Sequence, residues 1–153
     1  MPIKPIQLSH VNMLVRNKDR SEKFYSDILG LTVTNRMPKI TFMSANEETS
    51  HEIALVEIGD DAPGPEKGRV GLNHVAWQMA TFEDLKEVYH KLKEHDAEIT
   101  RVSDHNLSVG VYFKDPDGNE VEAYYELPKS HWPDPGDDGN IFRGKQPFPW
   151  DVE

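Results

Sequence analysis

The sequence predicts an α+β fold made of two copies of one strand–helix–strand–strand–strand module. Three observations predict it. Residues 9–15 and 73–79 read as copies of one another, and each opens with a histidine at a strand start, His10 and His74. After each comes a polar stretch and then an amphipathic helix, with Tyr25 placed after His10 as Tyr89 is placed after His74. Between the two runs, residues 60–68 carry two prolines and two glycines in a charged setting, the composition of a linker. A duplicated module fixes the architecture before any single motif does.

The elements follow in chain order. Residues 8–15 alternate, with His10, Asn12 and Leu14 on one face and Val11, Met13 and Val15 on the other, the pattern of a half-buried strand. Residues 19–29 form a helix whose apolar stripe is Phe24, Ile28 and Leu29, and Gly30 is its stop. Residues 31–35 and 40–44 are short strands, 45–50 a polar loop and 51–58 a further strand. The order then repeats. A strand runs over 72–79; Thr81 caps a helix reaching about His95, with Glu83 and Asp84 in its first turn. Strands over 97–102, 109–114 and 120–126 complete the set. The modules therefore span about 8–58 and 71–127 of one domain, 1–127, and a Pro- and aromatic-rich tail, 128–153, follows. Trp132, Phe142, Phe148 and Trp150 in that tail are expected to pack across the domain or a neighbouring subunit.

Composition sets limits. The 153 residues include 17 basic and 27 acidic side chains, for a net charge of -10, which argues against nucleic acid or an anionic membrane as a general partner. No apolar run approaches the roughly 20 residues of a bilayer span. The N-terminal stretch lacks the apolar centre of a signal peptide. Cysteine is absent, so disulfides, thiolate ligands and a cysteine nucleophile are excluded, in keeping with a cytoplasmic protein. Exposed sheet edges and the aromatic tail favour a homo-oligomer.

The chemistry gathers around one turn. Asp115-Pro116-Asp117-Gly118 suits a type I turn with glycine in the left-handed position. In that register Asp115 faces Asn119 and Tyr112 lies opposite Glu122. Tyr112, Glu120, Glu122 and Tyr124 then share a polar face, and Val109, Val111, Phe113, Val121 and Ala123 an apolar one. His10 and His74 also lie opposite the more apolar faces of their strands. Two histidines and one carboxylate, with other positions open, form the facial set associated with non-haem Fe(II) and sometimes Mn(II). Taken singly, a strand-start histidine is more often a surface residue than a ligand. The matched pair and the hairpin-held carboxylate together favour the metal.

These residues resemble the vicinal oxygen chelate superfamily, the glyoxalase/bleomycin-resistance/dioxygenase group, over residues 8–127. The resemblance implies paired βαβββ modules forming an open, cup-shaped mixed sheet around a divalent metal. Within the superfamily the chain is most similar to type I extradiol dioxygenases. Their signature reads here as His105, Val111-Tyr112, Asp115-Pro116-Asp117-Gly118 and Glu122. Ser103 departs from the small or β-branched residues usual two before the histidine, and the gap from His105 to Tyr112 is short. A further histidine motif reads His51-Glu52-Ile53-Ala54-Leu55.

The resemblance implies oxidative cleavage of a catechol-type aromatic diol by O2. Fe(II), or alternatively Mn(II), would be held by His10, His74 and Glu122. The catalytic residues would be His51, handling protons, and Tyr112 and His105, holding a substrate oxygen. Leu14, Ile53, Leu55 and Tyr124 are expected to line the pocket. Two other readings stand beside this one. A glyoxalase-like lyase or isomerase would need a second carboxylate, for which only Glu52 and Glu57 are at hand. A non-catalytic small-molecule-binding protein would need no metal triad. His90, His95 and His131 fit no motif.

Overall fold

The computed structural model describes residues 3–105, 107–132 and 134. The chain separates into two compact units between Pro65 and Glu66, within the proline- and glycine-bearing segment. Both units are built alike. The first holds β1 (Val11–Val15), α1 (Lys18–Leu29), β2 (Thr32–Met37), β3 (Ile40–Ser44) and β4 (Ile53–Glu57). The second holds β5 (Val75–Gln78), α2 (Phe82–Glu94), β6 (Ile99–Asp104), β7 (Ser108–Lys114) and β8 (Glu120–Glu126), followed by a short 3-10 turn at Lys129–His131. The sheet orders are β1-β4-β3-β2 and β5-β8-β7-β6, so each unit is one βαβββ module with a mixed four-stranded sheet. In each, the first strand pairs parallel with the last and the other neighbours are antiparallel. A parallel pair cannot be closed by a hairpin, and here the helix and two strands between them provide the crossover.

Local sequence explains the helices. Asn17 caps α1 by accepting the Arg20 N–H at 2.9 Å, and Gly30 ends it at φ 70°, donating to the Ser26 carbonyl. Only glycine takes that left-handed turn without penalty. In α2 a capping box closes both ways: Thr81 Oγ1 accepts the Asp84 N–H and Asp84 returns the bond to the Thr81 N–H. Such a cap contributes about 1 kcal/mol.

Each sheet has one face covered by its helix. In the first unit α1 packs on β3 and β4, over Met13, Val15, Met43, Ile53 and Leu55, all buried. The helix stripe is Ser21, Tyr25 and Ile28, not Phe24, Ile28 and Leu29; only Ile28 is common to both. Tyr25 takes the central place because its ring fills the core while its hydroxyl donates to Met13 Sδ at 3.5 Å. In the second unit Leu85, Val88 and Leu92 of α2 meet β7 and β8, where Val111, Phe113, Val121 and Ala123 are buried. Burying each larger side chain contributes about 1.5–3 kcal/mol. Among the described residues no helix is long and apolar enough to cross a membrane. Trp132 donates its ring N–H to the Leu127 carbonyl at 2.8 Å; Phe142, Phe148 and Trp150 lie outside the described residues.

Three strand starts differ from expectation in a way that matters: β1 begins at Val11 rather than 8. β4 begins at Ile53 rather than 51, and β5 at Val75 rather than 72. His10, His51 and His74 thus lie just ahead of β1, β4 and β5, in extended chain outside the ladders. There a side chain is released from strict strand alternation.

Candidate functional site

The uncovered face of the second sheet carries the polar residues, and its register places them in rows. Asp115 accepts the N–H groups of Asp117 and Asn119 and the side-chain amide of Asn119, while Gly118 turns at φ 90°. That turn sets Tyr112 opposite Glu122 and Gly110 opposite Tyr124. On the other side of β8, Ala76 lies beside Glu122 and Gln78 beside Tyr124. On the other side of β7, Arg101 lies beside Tyr112 and Ser103 beside Gly110. One row therefore reads Ala76, Glu122, Tyr112, Arg101, and the next reads Gln78, Tyr124, Gly110, Ser103.

The middle of this face is buried, although Ala76, Gln78 and Arg101 at its edges are exposed. Tyr112 is only 4% exposed and Glu122 8%. Burial, then the hydrogen bond and charge of Glu122, pushes the Tyr112 hydroxyl above its ordinary range, with Arg101 pulling the other way. Tyr124 is also raised, by burial first and then by Glu126 and Glu122. Both phenols therefore keep their protons at neutral pH and can donate.

His74 and Glu122 meet. His74 Nε2 lies 3.1 Å from Glu122 Oε2, and its other nitrogen, Nδ1, lies 2.8 Å from Asn73 Oδ1. The amide oxygen can only accept, so the tautomer that pairs with it has its proton on Nδ1. The other nitrogen, Nε2, is the one turned toward a carboxylate oxygen. That juxtaposition is unfavourable unless a proton or a cation lies between. Two ligands about 2.1 Å from one ion at a near-right angle stand roughly 3 Å apart, so the pair suits a divalent metal. Gly110 gives the carboxylate its room: a Cβ there would fall 2.6 Å from Glu122 Oε1. The His74 ring also stands edge-to-face with Tyr112, centroids 5.4 Å apart.

In the first unit the His10 and His51 rings lie 4.6 Å apart, and Phe42 abuts His51 edge-on at 5.0 Å. His51 Nδ1 pairs with Ser50 Oγ at 3.0 Å. The loop that delivers His51 is tied down by Glu52, whose carboxylate accepts from the Ala45 N–H, Asn46 Nδ2 and Thr49 Oγ1. Burial raises the Glu52 pKa, but these hydrogen bonds outweigh it and hold the carboxyl below its ordinary range. Among the described residues no group of three His, Cys, Asp or Glu side chains gathers that could hold a metal ion. His105 turns to Ser103, its Nε2 at 3.2 Å from the hydroxyl, and makes no ring contact or hydrogen bond with Tyr112.

The pocket expectation needs correction. Ile53 and Leu55 pair with Val11 and Met13 and are fully buried under α1, so they belong to the core. Leu14, on the opposite face, is 61% exposed, and Tyr124 lies on the face of Glu122. The parallel register between β1 and β4 decides these faces, and nothing local in the sequence reports it. Arg101 was not anticipated as part of the face. A bulge between Ile99 and Arg101 shifts β6 by one residue, so Arg101 instead of Thr100 stands beside Tyr112.

Residues 7–123 match the family model described as "Glyoxalase/Bleomycin resistance protein/Dioxygenase superfamily". The chain belongs to that superfamily. Among its relatives is biphenyl-2,3-diol 1,2-dioxygenase 3 of Rhodococcus globerulus, 31% identical over 123 residues, which are 80% of this chain and 64% of the relative. Another is catechol-2,3-dioxygenase of Bacillus subtilis, 28% identical over 126 residues, 82% of this chain and 43% of the relative. The chain thus spans less than two thirds of the length of either. Among solved structures, a glyoxylase/bleomycin resistance protein/dioxygenase domain from Frankia superposes with a TM-score of 0.66 at 23% identity, covering 82% of this chain and 99% of that one. The superfamily fold expected from the duplicated modules is therefore established.

Proposed function

We propose that this protein is a metal-dependent extradiol dioxygenase that opens the ring of a catechol-type diol with O2. The observation that carries the reading is the His74–Glu122 pair, with Nδ1 held by Asn73 and the carboxylate seated over Gly110. The names of the relatives supply the reaction class. The reading assigns His10, His74 and Glu122 as ligands and Fe(II) as the ion, Mn(II) being the alternative. Bound there, the ion supplies Lewis acidity toward the diol oxygens and a redox-capable centre for dioxygen.

The protein's own groups do the rest. Tyr112, buried and protonated, donates to a substrate oxygen and fixes the ring against the face. His51 is assigned as the proton carrier and His105 as a further donor to the substrate. The functional form is proposed as a cytoplasmic homo-oligomer acting on a small aromatic diol, with no nucleic-acid or membrane partner.

The test is anaerobic loading with Fe(II), addition of a catechol panel and admission of O2. A yellow ring-opened product with matching oxygen uptake supports the reading; neither metal retention nor product from any catechol sinks it. His51→Ala should cut turnover far more than metal content. Equal losses would mean that its role is misassigned.

A further inference from the structure

Arg101 ends the row that begins at Ala76 and passes through Glu122 and Tyr112. Its guanidinium lies 3.7 Å above the Tyr112 ring centroid. The residue is exposed, and among the described residues no carboxylate stands within ion-pair distance of it. Lys114 on β7, by contrast, lies 3.9 Å from Glu120. Arg36, in the first unit, is taken by Glu22 at 2.6 Å.

Two further observations tie Arg101 to the face instead of to the surface at large. The β6 bulge re-aims the strand so that Arg101 takes the position beside Tyr112. The first unit has the same bulge, and its equivalent position, beside Phe42, is Asn35. The cation is therefore particular to the unit that carries Glu122. Stacking on Tyr112 holds the guanidinium plane in place; the group also interacts with the Tyr112 hydroxyl, and its remaining N–H groups can meet a planar anion.

We infer that the diol accepted at this site carries an anionic side arm, of which a carboxylate best fits the guanidinium fork, and that Arg101 is the specificity residue that receives it. The inference rests on the dioxygenase reading for its diol and on the β6–β7 register for its charge. Neighbouring strands lie about 4.8 Å apart, so Arg101 stands two strands from Glu122, roughly 10 Å between backbones. A diol held near Glu122 would thus reach the guanidinium with a short arm. Arg101 also places positive potential at the site of a protein that otherwise repels anions.

The experiment measures equilibrium binding by calorimetry, using the full chain loaded with Fe(II) under argon. The probes are catechols with zero to two methylenes between ring and carboxylate, each paired with its neutral primary amide. The wild type is expected to bind the best acid about tenfold or more tightly than its amide, with the preference shrinking as salt rises. Arg101→Gln should erase the preference while moving amide binding less than about threefold, and Arg101→Lys should keep part of it. Equal binding of acid and amide by the wild type overturns the inference. So does a parallel loss of both in Arg101→Gln, which would make Arg101 only a support for Tyr112. Admitting O2 separates the two claims. Ring opening without acid preference sinks this inference alone, and acid preference without ring opening sinks the dioxygenase reading alone. No binding of any probe sinks both.

Discussion

The two units share order, pairing and even the bulge in their second strand, so their residues can be compared position by position. The row Ala76, Glu122, Tyr112, Arg101 in the second unit is Asn12, Ala54, Phe42, Asn35 in the first. The histidine ahead of the first strand is kept in both, His10 and His74. The row's ionisable groups, Glu122, Tyr112 and Arg101, are present only once. The first unit's nearest carboxylate, Glu52, is two residues away from Ala54 and is occupied with the 45–49 loop. Glu57 accepts the Lys18 N–H at 3.2 Å. A fold made by duplication therefore has one half carrying the carboxylate and phenol, and the other a histidine pair and a tied loop. A reading that needs a ligand carboxylate from each half loses its support in the first.

Substitutions that make the second unit resemble the first should break function in graded steps. The largest effect is expected from Glu122→Ala, the residue found at position 54. Turnover should fall by about a thousandfold or more with metal content, while circular dichroism stays native. Next comes Tyr112→Phe, matching Phe42. It removes a donor and leaves the ring, so turnover should drop about 10- to 100-fold with metal content unchanged. Gly110→Ala comes third. Its Cβ displaces the Glu122 carboxylate, and metal affinity measured by competition should weaken about tenfold with little change in melting temperature.

The smallest effect concerns acid stability and separates the units in the other direction. Glu22 is held below the ordinary carboxylate range chiefly by the Arg36 hydrogen bond, with Thr41 adding to it, and Glu52 is held down by its loop donors. Both lie in the first unit. A depressed carboxylate contributes stability that is present above its unfolded-chain pKa and is lost as pH falls through its folded one. Acid unfolding followed by hydrogen exchange should therefore open the first unit first. Glu22→Gln should cost about 1 kcal/mol at neutral pH and flatten the acid limb. Simultaneous opening of both units in the wild type would contradict this.

Local chemistry made much of this legible. The Asp-Pro-Asp-Gly turn fixed the register that sets Tyr112 against Glu122, and Thr81 and Gly30 marked helix ends because caps act within a few residues. What stayed hidden was non-local. The phase of α1, with Tyr25 inward and Phe24 to the side, depends on which sheet it covers. Ile53 and Leu55 read as pocket residues until the parallel pairing with β1 turned them to the core. Arg101 was hidden by a one-residue bulge, which strict alternation cannot anticipate. The burial of Tyr112 and Glu122 was likewise invisible, because alternation reports polarity and not depth.

The most direct test of the central claim is the stoichiometry of Fe(II) binding, measured anaerobically by equilibrium dialysis on the wild type, His74→Ala and Ala54→Ser. One ion per chain is expected for the wild type, loss of that ion in His74→Ala, and no change in Ala54→Ser. Full retention of the ion by His74→Ala, or no ion bound by the wild type, would contradict it.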